Sequence, residues 1–206
     1  MAELVAAPCT AKTEKEKMIV GELYYANTPE LEESRRSTRE LLLTLNTISE
    51  RQVDDRNSLI QKLLPRTGKG LVLTPPFQCD YGWNIITGEN VYFNFNCVVL
   101  DGCSVTIGNN TLFGPSVQLY TACHPLNAEE RRSGIEFGKP ISIGCDVWVG
   151  GGAIVCPGVT IGDRTVIGAG SVVTRDIPSG VVAAGNPCRV IRRLEPGEEP
   201  SGSNGV

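Results

Sequence analysis

Six hexads run without interruption from Ile143 to Pro178: IGCDVW, VGGGAI, VCPGVT, IGDRTV, IGAGSV and VTRDIP. The first position is always Ile or Val, the second is Gly in four of the six, and the fifth is small or β-branched. A period of six matches neither the 3.6-residue helix nor the two-residue strand. It fits a chain that turns a corner every six residues and stacks its short faces into a prism, a parallel β-helix. The aliphatic first position is expected to fill the interior, with the small fifth residue beside it. Gly at the second position is expected to relieve the crowded corner through its freedom in φ.

The frame extends upstream as IGNNTL, FGPSVQ and LYTACH, Ile107 to His124. It continues as TGENVY, FNFNCV and VLDGCS, Thr87 to Ser104, offset by Val105 and Thr106. Three hexads make one triangular coil, which gives roughly four coils. Between the two repeat blocks, Pro125 to Pro140 (PLNAEERRSGIEFGKP) is polar and charged and is expected to leave the prism. A loop of that length inside so regular a repeat reads as functional.

The N-terminal part has helical patterning over residues 13–65. Thr13 to Asn27 reads as a helix, with Thr13 as cap and Glu16 three residues on. A second helix spans Pro29 to Thr47, with proline in the first turn and Leu41, Leu42 and Leu45 as its apolar stripe. A third, Asp54 to Leu64, carries Leu59, Ile60, Leu63 and Leu64 and is ended by Pro65. Bare β-helix ends expose unpaired backbone, so this segment is expected to cap or flank the prism. The β-helix is assigned to 71–194, with the excursion loop at 125–140. Residues 1–12 read as a loose tail, and 195–206 (EPGEEPSGSNGV) as disordered.

The net charge of −4 argues against nucleic acid as a partner. There is neither a membrane-spanning apolar run nor a signal-peptide core, which predicts a cytoplasmic chain with no membrane partner. None of the eight cysteines forms a CxxC pair, and Cys97 and Cys103 fall at fifth positions. They read as reduced packing residues. A single histidine cannot build a three-histidine metal site, and the cysteine spacing does not suit zinc, so no metal is expected.

Each candidate for chemistry has a plain structural alternative. His124, the only histidine, opens the excursion in YTACHPLN. It is either a surface residue or, with an imidazole that titrates near neutrality, a base for a hydroxyl. Asn94 in YFNFN sits at a corner where Asn tolerates unusual φ; it either steadies the turn or binds a substrate hydroxyl. Tyr92 and Asp101 stand in the same position. Trp148 covers apolar surface or walls a cofactor arm. The run Gly150 to Gly152 makes a corner, or lets a ligand reach backbone N–H groups that can hold an oxyanion. Arg175, Arg189, Arg192 and Arg193 form a solvated basic face or a phosphate site.

The strings TEKEKMIVGELY, QCDYGWNI, YFNFNCVVLD, YTACHP, GKPISIGCDVWVGGGAIVCPGVTIGD, IGAGSVVTRDIP and VAAGNPCRVIR together resemble the maltose and galactoside O-acetyltransferases, a group of hexapeptide-repeat acyltransferases. The resemblance runs from Thr13 to Leu194. It implies a left-handed β-helix, acetyl-coenzyme A as donor, a sugar hydroxyl as acceptor, and a homotrimer with sites between subunits. The family's general-base histidine matches His124, its acceptor-binding asparagine and aromatic match Asn94 and Tyr92, and its oxyanion amide matches Gly151. Its cofactor positions match Trp148, Gly151, Ala169, Thr174, Arg175, Arg189 and Arg192. Two features depart from the pattern. Asp101 is followed by Gly102 where galactoside enzymes carry an acidic pair, and no acidic residue near Ala26, Asn27 and Glu30 cleanly matches the family's N-terminal sugar contact. The competing classes are a non-catalytic scaffold, an acetyltransferase with a non-sugar acceptor such as serine, a metalloenzyme on the same prism, and a nucleotidyltransferase. The single histidine and the lack of a Gly-rich nucleotide domain disfavour the last two.

Overall fold

A computed structural model describes residues 11–195. The expected tails, 1–12 and 195–206, fall outside these residues except for 11, 12 and 195, as does Cys9. Four elements precede the prism: α1 (Glu14–Ile19), β1 (Tyr24–Tyr25), α2 (Pro29–Thr47) and α3 (Val53–Leu63). Thr13 and Glu16 form the capping box that starts α1. The helix does not run to Asn27 as the pattern suggested. Gly21 takes φ +79°, and a β carbon there would stand 2.7 Å from the Gly138 carbonyl oxygen, so the chain turns off against the excursion loop and becomes a strand.

The prism is a left-handed parallel β-helix. Its first coil holds β2 (Arg66–Thr67), β3 (Val72–Leu73) and β4 (Phe77–Cys79), and its second β5 (Ile85–Thr87), β6 (Tyr92–Phe93) and β7 (Cys97–Leu100). The third holds β8 (Val105–Ile107), β9 (Leu112–Phe113) and β10 (Gln118–Tyr120). The excursion follows as β11 (Ala122–Cys123), α4 (Ala128–Arg132) and β12 (Ile135–Gly138). Two more coils are β13 (Ile141–Ile143), β14 (Trp148–Val149), β15 (Ile154–Val155) and β16 (Thr160–Ile161), β17 (Val166–Ile167), β18 (Val172–Val173). A sixth begins with β19 (Val181–Ala184) and is closed by the antiparallel β20 (Arg189–Arg193). The first face stacks β2, β5, β8, β13 and β16; the second β3, β6, β9, β14, β17 and β19; the third β4, β7, β10, β15 and β18.

Five complete coils stand where the hexads suggested four. In the missing one the inward positions are Thr67, Leu73 and Cys79 in place of Ile or Val, and Phe77 takes a fifth position. The early first-face strands also carry two inward residues each, such as Ile85 with Thr87 and Val105 with Ile107. Those coils therefore advance 20 residues (Ile86 to Thr106) and the last advances 18 (Ser142 to Thr160). This is the source of the offset at Val105 and Thr106.

The interior follows the hexad. Ile143, Val149, Val155, Ile161, Ile167 and Val173 are buried, and Val147, Ala153, Val159, Thr165 and Ser171 fill the fifth positions beside them. Phe93 stacks on Phe113 at 4.5 Å and meets Phe77 edge-on at 5.5 Å. The second-position glycines need a different account from the one the sequence suggested: none of Gly144, Gly150, Gly162 and Gly168 has positive φ. At Gly150 a β carbon would lie 2.5 Å from the Ala169 nitrogen of the next coil, so the glycine is required by close approach of backbones. The left-handed residues are at fourth positions, among them Asn96, Asn110, Asp146 and Gly152, where Asn and Asp bear positive φ better than most.

The helical segment closes the first-coil end. Leu42, Leu45, Ile60, Leu63 and Leu64 are buried in one core with Leu73 and Phe77. The edge backbone of β4 is met by a side chain: Asn46 donates its Nδ2 to the Phe77 carbonyl and accepts the Phe77 N–H, both at 2.9 Å. Among the described residues no helix is long and apolar enough to cross a membrane. Asn46→Ala orphans both Phe77 groups, and a loss of about 1–3 kcal/mol is expected. Urea unfolding of the variant beside the parent protein measures it.

Candidate active site

The candidates fall on two different edges of the prism, separated by the width of the third face. The edge between the second and third faces carries Asn94 in the second coil, Gly151 in the fourth and Ala169 in the fifth. Tyr92 and Trp148 lie just before that edge on the second face, in one cross-strand row with Leu112 between them. Asn94 does not hold the unusual φ expected of it; that residue is Asn96, at φ 61°. The Asn94 Oδ1 accepts the Phe95 N–H at 2.8 Å. Trp148 is half exposed. The Gly151 carbonyl accepts the Gly170 N–H at 2.9 Å, while the Gly151 N–H has no partner among the described residues. An amide left free at a corner without side chains is the kind of donor that holds a developing oxyanion.

The other edge, between the third face and the next coil's first face, carries Asp101, Thr174, Arg175 and the excursion that begins at His124. The four arginines therefore come from two different segments. Arg189 and Arg192 lie on β20, which pairs with β19 on the second face. Among the described residues no group of three or more His, Cys, Asp or Glu side chains could hold a metal ion.

His124 is exposed and opens into a cavity of about 800 Å³ between the excursion, β1 and α2. Its other walls include Tyr24, Arg35, Asp80, Tyr81 and Glu136. The cavity is polar and internally braced. Arg35 donates to the Tyr81 hydroxyl at 2.7 Å, and the Tyr24 hydroxyl donates to Glu136 Oε2 at 3.0 Å. Burial, and then the Glu136 charge, push the Tyr24 phenol well up, so it stays a proton donor. Burial also raises the Asp80 carboxyl, against the opposing charges of Arg35 and Arg39.

Asp101, expected to face an acceptor, is fully buried instead. The segment from Asp80 to Asn84 folds over it: Oδ1 accepts the Asp80 and Tyr81 N–H groups at 3.0 and 2.9 Å, and Asn84 donates to its carbonyl at 2.8 Å. Oδ2 has no partner among the described residues. Asp101 thus fixes the turn that presents Asp80 and Tyr81 to the cavity. Five wall residues, Tyr24, Arg35, Asp80, Tyr81 and Glu136, escaped the hexad reading because none belongs to a hexad. The signal that could have exposed the first was Gly21, a helix stop followed by a β-favouring tyrosine pair.

Relatives agree with this architecture. The maltose acetyltransferase hexapeptide capping motif matches residues 17–68, and the bacterial transferase hexapeptide model (six repeats) matches 140–175. Nodulation protein L of Rhizobium leguminosarum bv. viciae is 51% identical over 87% of this chain and 94% of its own. A maltose O-acetyltransferase from Clostridium difficile 630 superposes with a TM-score of 0.89 at 48% identity, over 91% of this chain and all of that one. The chain belongs to the maltose and galactoside O-acetyltransferase family. A galactoside acetyltransferase solved in complex with coenzyme A shares 42% identity with this O-acetyltransferase and a TM-score of 0.86, over 90% of this chain and 92% of that one.

The buried carboxyl of Asp101 sets a pH dependence. Burial raises it to about 6, above its ordinary 3.8, so the folded state holds the proton more tightly than the unfolded chain. Its stabilising contribution is complete below about pH 4 and lost as the pH rises through about 6. Asp101→Asn keeps the Oδ1 acceptor and removes the ionisation. Urea unfolding at several pH values should show the variant gaining on the parent protein between pH 4 and 6 and holding that gain above it.

Proposed function

We propose that this enzyme transfers the acetyl group of acetyl-coenzyme A to a hydroxyl of a maltose-, glucose- or galactoside-type sugar. The observation that carries the reading is His124, exposed at the mouth of a polar 800 Å³ cavity large enough for a sugar. His124 takes the hydroxyl proton as that oxygen attacks the thioester carbonyl carbon. The Gly151 N–H holds the oxyanion, the C–S bond then breaks, and coenzyme A leaves as the thiol with a proton returned from the imidazole. Both substrates react within one complex, so no acyl-enzyme is required. Asn94 and Tyr92 are assigned to the acceptor. Trp148, Gly151, Ala169, Thr174, Arg175, Arg189 and Arg192 are assigned to the coenzyme, whose phosphates suit guanidinium. Asp101 acts from beneath the wall and does not touch the sugar.

His124 and Gly151 lie on different edges of one prism, so this chemistry needs a second copy. The outer surfaces support that. The second face presents Val72, Tyr92, Leu112, Trp148 and Val166 in one row, with Val72, Leu112 and Trp148 about half exposed. The third face presents Val98, Gln118, Ile154 and Val172. The first face presents Arg66, Ile86, Thr106, Ser142 and Thr160, of which all but Ile86 are exposed and polar. Two apolar faces and one wet face suit a heterologous contact that closes as a ring, and the homotrimer brings one copy's glycine corner to its neighbour's His124. We assign the assembly to the cytoplasm.

His124→Ala should keep coenzyme A binding and lose about 10²–10⁴ in kcat. Thiol release from acetyl-coenzyme A with maltose, glucose and a galactoside reads this, and undiminished turnover sinks the assignment. Leu112→Glu places a charge in the second-face row. Sedimentation should shift to the monomer, and turnover should disappear with the trimer.

A further inference from the structure

Three strands outside the prism carry one row of side chains across the mouth of the cavity. β12 pairs antiparallel with β1 on one side, setting Tyr24 opposite Glu136. On the other side it pairs with β11, setting Ala122 opposite Gly138 and Cys123 opposite Phe137. The Lys139 N–H to Thr121 carbonyl bond, 2.9 Å, holds the same register one step back. Continued one step past the last pair, that register places His124 across from Glu136, and both line the cavity. Opposed residues of an antiparallel pair project from the same face, with β carbons about 4.5–5.5 Å apart. The two-residue alternation puts Ala26 with Tyr24 and Ala122 with His124 on that face, and all of these residues line the cavity with Glu136. The row therefore reads Tyr24, Glu136, His124, with the carboxylate in the middle.

That carboxylate is half committed. Oε2 accepts the Tyr24 hydroxyl at 3.0 Å, and Oε1 has no partner among the described residues. The space beside it is open because residue 102 is glycine: a β carbon there would stand 3.6 Å from the Tyr24 hydroxyl. A side chain at 102 would fill the room next to the Tyr24–Glu136 pair.

We propose that Glu136 is an acceptor-binding residue that decides which hydroxyl reaches His124. Oε1 accepts a hydrogen bond from a hydroxyl neighbouring the one that is acetylated. Tyr24 is the positioning residue that keeps Oε2 in place. The proposal rests on the sugar O-acetyltransferase reading of this site. The acceptor class it selects is a neutral polyol with adjacent hydroxyls, since a simple alcohol offers the carboxylate nothing and an anionic group set against Oε1 meets like charge, the cavity's Arg35, Arg36 and Arg39 standing on the α2 wall.

The test is steady-state thiol release from acetyl-coenzyme A by full-length parent protein, Glu136→Gln, Tyr24→Phe and the double variant, with maltose, glucose and glucuronate as acceptors. Glu136→Gln should raise the KM for maltose about 10- to 100-fold while kcat and the KM for acetyl-coenzyme A stay within about threefold. Tyr24→Phe should raise the same KM by about 3- to 10-fold, and the double variant should be no worse than Glu136→Gln alone. Glucuronate, poor with the parent protein, should improve in Glu136→Gln. An unchanged maltose KM in a Glu136→Gln protein of parental melting temperature overturns the proposal and leaves the acetyltransferase reading intact. So does a fall in kcat with a shifted acid limb of the pH profile, which would make Glu136 a partner of the imidazole. If Glu136→Gln does not fold, an unchanged maltose KM in Tyr24→Phe overturns it. A parent protein that turns over no sugar overturns the reading beneath it and this proposal together.

Discussion

Everything in this molecule rests on how closely one coil lies on the next. Parallel strands stack about 4.8 Å apart, and at a prism corner the backbone itself makes that contact. At Gly150 the neighbouring nitrogen stands where a β carbon would be, and Gly144 and Gly162 meet the next coil in the same way. The glycines keep the ladders in register on all three faces. That register keeps the aliphatic first positions in one interior column, and it leaves the corner amide of Gly151 with no partner among the described residues. A side chain at one of these corners would disturb packing, pairing and the candidate oxyanion donor together.

Local regularity explains what the sequence revealed. The hexads state the fold because each coil repeats the same local demands, and neighbouring coils are consecutive in the chain. The inward residues from Ile143 to Val173 could be read one by one. α2 was legible to the residue because Pro29 starts it and its leucines mark the buried stripe. The coil count fell short where Thr67, Leu73 and Cys79 met the packing requirement without the usual residue types. The role given to the second-position glycines was also mistaken. Crowding at a corner was readable from their recurrence, but a periodic glycine does not tell positive φ from backbone approach.

The acceptor side was far less legible, and sequence distance is the reason. Tyr24 and Glu136 are 112 residues apart, and no local pattern links them. A two-residue strand such as β1 has too few positions to display alternation. It exists because β12 offers an edge and Gly21 lets the chain turn onto it. Asp101 misled for the opposite cause. Its place where related enzymes carry an acidic pair suggested a substrate contact, but the Asp80–Asn84 segment that buries it comes from the turn before its coil, and only the folded chain shows that cover.

This split has a consequence for how such an enzyme can change. Under the proposed function the oxyanion donor is backbone at a prism corner, where the geometry recurs from coil to coil and tolerates little. The acceptor side adds to Tyr92 and Asn94 of the prism a set of side chains on β1, β12 and α2 and at the end of β11, outside it. Substitutions at Tyr24, Ala26, Gly102 or Glu136 alter the cavity without moving a coil, because none of these residues lies at the Gly151 corner. An excursion of sixteen residues between His124 and Ile141 costs the prism little, since the β8–β13 ladder continues across it in unbroken register. Under that reading acceptor choice can drift while acyl transfer is kept, and the short three-stranded sheet adds the part of specificity that the solenoid does not carry.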